Sequence, residues 1–164
     1  MKKYLSSFLI VILILFSLKE FGYGSQISNT DLKNFIDNYF TSYFEDYITL
    51  TENTSNKYTE ESKSTLIYNT IHKNKIYLYK TLNTPYEYFN SKIIYKNISK
   101  KENKFLVDLI LSVSYKYKNA TCHSKLCNIP YKLEIITKPE LKICKIERTF
   151  SEDESLLYEM DIRS

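Results

Sequence analysis

An α+β domain, two helices followed by a four-stranded antiparallel sheet, is the fold this sequence predicts, on three observations. Leu32, Phe35, Ile36, Tyr39, Phe40, Tyr43, Phe44, Tyr47 and Ile48 recur at spacings of three, four and one, which makes one broad helical face. Between Lys104 and Lys118, Phe105, Val107, Leu109, Leu111, Val113, Tyr115 and Tyr117 alternate with a mixed set that includes Asp108, Ser112, Ser114 and Lys116. That is strand periodicity, with one face for a core and one for water. The helical patterns all precede the strand patterns, and such segregation argues α+β over alternating α/β. A chain of 164 residues has room for one such domain and buries enough surface to need no metal or disulfide.

Residues 1–24 read as an export signal. Lys2 and Lys3 precede an apolar run from Tyr4 to Leu18, and Gly22, Tyr23, Gly24 and Ser25 supply a small-residue patch for cleavage after Gly24. The run is shorter than the roughly 20 apolar residues of a spanning helix, so the expectation is a secreted or extracytoplasmic domain over 25–164. An uncleaved segment would instead leave it membrane-anchored, and the membrane is expected to be met only there. No Cys follows the run to carry a lipid. Without 1–24, which hold three Lys and one Glu, the 23 basic and 19 acidic residues become 20 and 18. Near-neutral balance and scattered lysines exclude a nucleic-acid binder.

Taken in order, Ser28 or Thr30 can cap the first helix and Asp31 suits its positive end. Thr49 to Ser64 has no period and predicts a loop, with a second helix starting near Thr59 to Ser62 and running to Leu82. Ile67, Ile71, Leu78 and Leu82 form one apolar line of that helix, with Tyr68, His72, Ile76 and Tyr79 beside it, and the helix is expected to pack beside the first. Thr84 and Pro85 end it. Tyr86 to Ile98 is a strand, joined to the long strand by a loop of four or five residues because no glycine is present for a tighter turn. NATCHSKLCN is a second loop, followed by alternation from Ile129 to Thr137, a turn at Lys138 to Glu140, and a last strand from Leu141 to Phe150. The acidic tail SEDESLLYEMDIRS is read as either a short helix or a frayed end.

The chemistry is defined mostly by exclusion. Both glycines, Gly22 and Gly24, fall in the signal, so phosphate-cradling loops, dinucleotide fingerprints and nucleophile elbows have no glycine to build on. No cofactor is expected. Cys122 and Cys127 flank His123, and in an exported protein a Cys122–Cys127 disulfide is the leading expectation, beside a bridge from Cys144 or free thiols. Their spacing fits no zinc pattern. Cys122 with His123 or His72 lacks a third orienting group for nucleophilic catalysis. His72 lies at the margin of its helix's apolar face, and neither Glu45 nor Asp46 forms a convergent pair with another group that spacing alone defines.

The run DLKNFIDNYFTSYFEDY, the strand DLILSVSYKYKN and the segment YKLEIITKPELKICKI resemble nuclear transport factor 2-like domains. Within these they are similar to the N-terminal extracellular domain that precedes an amidase domain in exported clostridial proteins. The resemblance implies helices packed into the hollow of a curved, cone-like sheet, related in outline to the cystatin-like arrangement. Leu141 and Ile143 stand where such domains often carry a Trp-Lys-Ile pattern, and the amidase's Asp-Cys-Thr-Asn-Phe type motif has no counterpart here. The resemblance therefore implies the accessory part of a cell-wall amidase family without its catalytic part. The expected function is a non-enzymatic binding or accessory module at the cell envelope, with a cell-wall component or an envelope protein as partner. Tyr43, Tyr47, His72, Tyr115 and Tyr117 are the expected lining of a ligand-binding hollow. If the hollow is filled, the same residues are core, and the partner, a second copy of the chain included, is met across the outer face of the sheet. The alternative is a small pocket enzyme or degenerate wall hydrolase using His72 or Cys122.

Overall fold

The computed structural model describes residues 27–148, and the signal segment and the acidic tail lie outside them. Three helices, α1 (Asn29–Thr49), α2 (Thr54–Tyr58) and α3 (Lys63–Leu82), precede four strands, β1 (Tyr86–Lys101), β2 (Lys104–Tyr117), β3 (Ser124–Ile136) and β4 (Lys142–Arg148). The strands form one antiparallel sheet in the order β1-β2-β3-β4. The α+β class is therefore as the periodicities predict. Among the described residues no helix is long and apolar enough to cross a membrane.

The long strand carries the core. Phe105, Val107, Leu109, Leu111, Val113 and Tyr115 are buried on one face of β2, and pairing sets Val107 against Leu133, Leu109 against Tyr131 and Phe105 against Ile135. Ile135 in turn pairs with Ile143 and Leu133 with Ile146, so the apolar face continues across β4. Each buried aliphatic side chain contributes about 1.5–3 kcal/mol of transfer free energy. Ile36, Tyr39, Phe40, Phe44 and Tyr47 of α1 are buried as well, with Phe40 edge-on to Tyr131 at 5.2 Å and Phe44 against Phe89 at 5.4 Å. The Tyr95 hydroxyl of β1 donates to the Asp37 carboxylate at 2.7 Å and ties the helix to the edge strand.

Several local expectations are corrected. The stretch read as a loop over Thr49 to Ser64 contains α2 and then lies along the free edge of β4. Glu60 N donates to Ile143 O at 2.9 Å, and the Ser62 and Ser64 hydroxyls donate to Cys144 O and Ile146 O at 2.7 and 2.8 Å. Side-chain bonds to an edge carry no hydrophobic period, so this edge cover is silent in the sequence. The β1–β2 connection is a two-residue turn of Glu102 and Asn103, with Lys101 paired to Lys104 and Glu102 at φ 54° in the place a glycine would normally take. The third strand begins at Ser124, five residues before its alternation becomes visible. Cys127 and Asn128 oppose the single residue Ser112 in a bulge, Asn128 has φ 57°, and the Ser112 hydroxyl accepts from Asn128 N at 3.1 Å.

The larger correction concerns α3. Of the two adjacent apolar lines expected to pack beside α1, Ile67, Ile71, Leu78 and Leu82 are exposed, and the buried positions are Thr65 with His72, Ile76 and Tyr79 of the other line. Polar anchoring decides the rotation of this helix. Ser62 and Thr65 form a capping box at its start, Ser64 is bonded to β4, and Asn69 donates to the Thr59 hydroxyl at 2.9 Å. Asn83, in the left-handed conformation, closes the other end ahead of Pro85.

Candidate functional site

Helical spacing places Tyr43 and Tyr47 one turn apart on the inner face of α1, with Asp46 beside them. Across from them, α3 presents His72. Its Nε2 lies 3.0 Å from Asp46 Oδ2 and its Nδ1 3.0 Å from the Tyr47 hydroxyl, which is 3.0 Å from the Tyr43 hydroxyl. The Tyr43 ring stacks on the imidazole at 3.9 Å. Asp46 accepts also from the Thr54 hydroxyl at 2.6 Å, from Thr54 N at 3.2 Å and from Asn53 N at 3.1 Å, so the carboxylate holds the start of α2 as well as the histidine. Burial works against charge on Asp46. The bonds from His72, Thr54 and Asn53 outweigh it and hold the carboxyl below its ordinary pKa.

A carboxylate only accepts, so Nε2 carries a proton toward Asp46. The Tyr47 hydroxyl donates to the Tyr43 hydroxyl, so the chain of polar contacts runs from Asp46 through His72 and Tyr47 to Tyr43. His72, Asp46 and Tyr47 are 1%, 2% and 2% exposed, and the His72–Asp46 pair ties α3 to α1.

The five residues expected to line a hollow are brought together, but packed against one another. Tyr47 touches His72, Tyr43, Tyr79 and Tyr86. Tyr86 stacks on Tyr115 at 4.5 Å and 10° and meets Tyr117 edge-on, and the Tyr79 and Tyr117 hydroxyls are 3.3 Å apart. Burial raises the phenol pKa of Tyr43, Tyr47 and Tyr86 well above the ordinary value, so these hydroxyls remain neutral hydrogen-bonding groups. His72 is interior, where the sequence set it at the margin of its helix's apolar face. Sequence reasoning missed Asp46, Tyr86 and Tyr79 as parts of this cluster. The available signal was Asp46 itself, a carboxylate within an aromatic helical face, which requires a buried partner.

Cys122, Cys127 and Cys144 are free thiols, the first two exposed, where a Cys122–Cys127 bridge was expected. Cys127 lies within β3 and not in the loop, and His123 is hydrogen-bonded to the Tyr88 hydroxyl. Burial raises the Cys144 pKa, and its thiol donates to Glu134 O at 3.4 Å. Among the described residues no group of three His, Cys, Asp or Glu is arranged to hold a metal.

On the outer face of the sheet a concavity of about 240 Å³ is lined by Asn97, Asp108, Lys132, Glu134, Lys145 and Glu147, among others. Lys145 bridges Glu147 at 2.7 Å and Glu134 at 3.5 Å, and Lys104 reaches Glu134 at 3.3 Å. These features define an α+β domain with a closed polar cluster inside and a charged groove outside. No protein-family model, no curated protein and no solved structure matches the chain.

Proposed function

We propose that this domain is a non-enzymatic binding or accessory module working outside the cytoplasm at the cell envelope, and that its partner, a cell-wall component or envelope protein, is met across the outer face of the sheet. The observation that carries the reading is the complete engagement of His72, at 1% exposure with both ring nitrogens bonded, which removes the best acid–base candidate from contact with a substrate. The outer groove offers both signs of charge at a concave surface, suited to a polar, zwitterionic polymer such as peptidoglycan. Export and envelope residence rest on the Lys2 to Gly24 pattern.

The test is co-sedimentation of the purified protein with isolated peptidoglycan, with soluble fragments assayed in the supernatant. Binding without release is expected, weakened about tenfold by Lys132→Glu and Lys145→Glu together, since rim charges pair across a binding groove. Unchanged binding by that variant would move the site off the sheet, and protein left wholly in the supernatant would remove peptidoglycan as the partner. A second reading, a hydrolase using His72, is favoured by its 3.0 Å contact with Asp46. It requires fragment release that a folded His72→Gln protein loses.

A further inference from the structure

The buried positions Thr65, His72, Ile76 and Tyr79 fix which way α3 faces, and its opposite side meets water. At about 100° per residue, Leu66 and Tyr77 fall on one side of the outward line, and Ile67, Ile71, Leu78 and Leu82 on the other. All six are exposed, Tyr77 by 73%, Leu82 by 59% and Leu66 by 55%. Between them run Lys63, Thr70, Asn74 and Thr81. The two threonine hydroxyls donate to Leu66 O and Tyr77 O within the helix, at 2.7 and 2.9 Å, so both are satisfied without water.

Charge on this helix has one sign and stands at the margins of the face. Lys73 and Lys80 lie on one edge and Lys75 on the other, and no acidic residue occurs from Lys63 to Leu82. Glu52 pairs with Lys73 at 3.5 Å, and Glu60 and Glu61 precede the helix, so positive charge dominates from its middle to its C-terminal end. Ammonium groups at the edges of an apolar face reach anionic headgroups while their stems stay against apolar surface. A tyrosine, with an apolar ring and a polar tip, suits the same boundary. A second copy of the chain fits badly, because each helix would bring four lysines and no carboxylate of its own to the contact. A dissolved anionic polymer would leave the six apolar side chains in water. An anionic bilayer surface answers both the charge and the apolar area.

We infer that α3 is a membrane-surface helix, its outward face laid on anionic lipid with Leu66, Tyr77 and the Ile67–Leu82 line entering the boundary between headgroups and acyl chains. It lies on the bilayer and does not cross it, for among the described residues no helix is long and apolar enough to span. The contact is additional to the one expected at residues 1–24. It is also independent of the peptidoglycan reading, which concerns the outer face of the sheet, and a negative peptidoglycan assay leaves it untouched.

The chain has no tryptophan, so Tyr77→Trp puts a single indole fluorophore on the face. The full chain with this substitution is mixed with phosphatidylglycerol vesicles brominated near the headgroup end of the acyl chains. The expected result is a blue-shifted emission quenched by the bromine, with apparent affinity about tenfold weaker when K75Q/K80Q is added and similarly weaker on phosphatidylcholine. I67D/L78D, which places two charges on the apolar side, should abolish the quenching, with the circular dichroism of both variants unchanged. An unquenched fluorophore overturns the inference, whether or not residues 1–24 hold the protein to the vesicles. Quenching that is equal on phosphatidylcholine, or unaltered in I67D/L78D, overturns it too. So does a blue shift without lipid that grows with protein concentration, which would assign the face to a second copy.

Discussion

Asp46 is the side chain on which the interior polar cluster depends, and its charge makes that dependence titratable. Because hydrogen bonds hold its folded pKa below the ordinary carboxylate value near 3.9, the stabilisation is complete above that value and is lost as pH falls below it through the folded pKa. The wild-type protein should therefore lose stability between about pH 4 and pH 2 more steeply than Asp46→Asn, whose side chain does not ionise. Urea titrations across that range check it, and parallel curves for the two proteins would sink the assignment. Asp46 was not singled out in the sequence, because spacing alone gave it no convergent partner. His72 is twenty-six residues away, and only the packing of α3 against α1 brings them to 3.0 Å.

At the scale of single elements, legibility followed periodicity. The long β2 strand and α1 were readable because one face of each is continuously apolar and buried. On α3 two adjacent arcs are both apolar, and periodicity cannot rank them. The helix turns its Ile67–Leu82 line outward because Ser64, Asn69 and His72 have partners on the inner side. The β1–β2 turn was misjudged for a related reason: absence of glycine argues against a tight turn, but sixteen-residue β1 and fourteen-residue β2 with matched pairing impose one on Glu102 and Asn103. That imposition has a cost. A left-handed non-glycine residue is disfavoured by about 1–2 kcal/mol, and glycine gives back roughly half of that in unfolded-state entropy. Glu102→Gly should accordingly stabilise the protein by about 0.5–1 kcal/mol. Thermal melts would show the gain, and a lower midpoint would mean that the Glu102 side chain holds the turn by a contact of its own.

The whole molecule is organised around neutral phenols. Burial raises the pKa of Tyr39, Tyr43, Tyr47, Tyr68 and Tyr86 well above the ordinary value near 10. A raised folded pKa contributes stability that is present below the unfolded value and lost as pH rises above it. Melting temperature should thus fall steeply from about pH 10 upward, with the phenolate absorbance of the buried set arriving together with unfolding. Full phenolate absorbance in a still-folded protein would contradict the packing described. The α+β class was legible at this scale, from the order of helical and strand patterns. The filling of the interior by aromatic rings was not, because a stripe that lines a cavity and one that closes it look alike in a sequence. The Tyr86–Tyr115 pair, nearly parallel at 4.5 Å in a chain without tryptophan, has an optical consequence. Two like chromophores held so closely share their excitation, so the near-ultraviolet dichroism of this protein arises from tyrosine and should carry the paired signature of coupled transitions. That signal vanishes when side-chain packing loosens even if helices and strands persist, which gives the native state a label that reports its interior without any added probe.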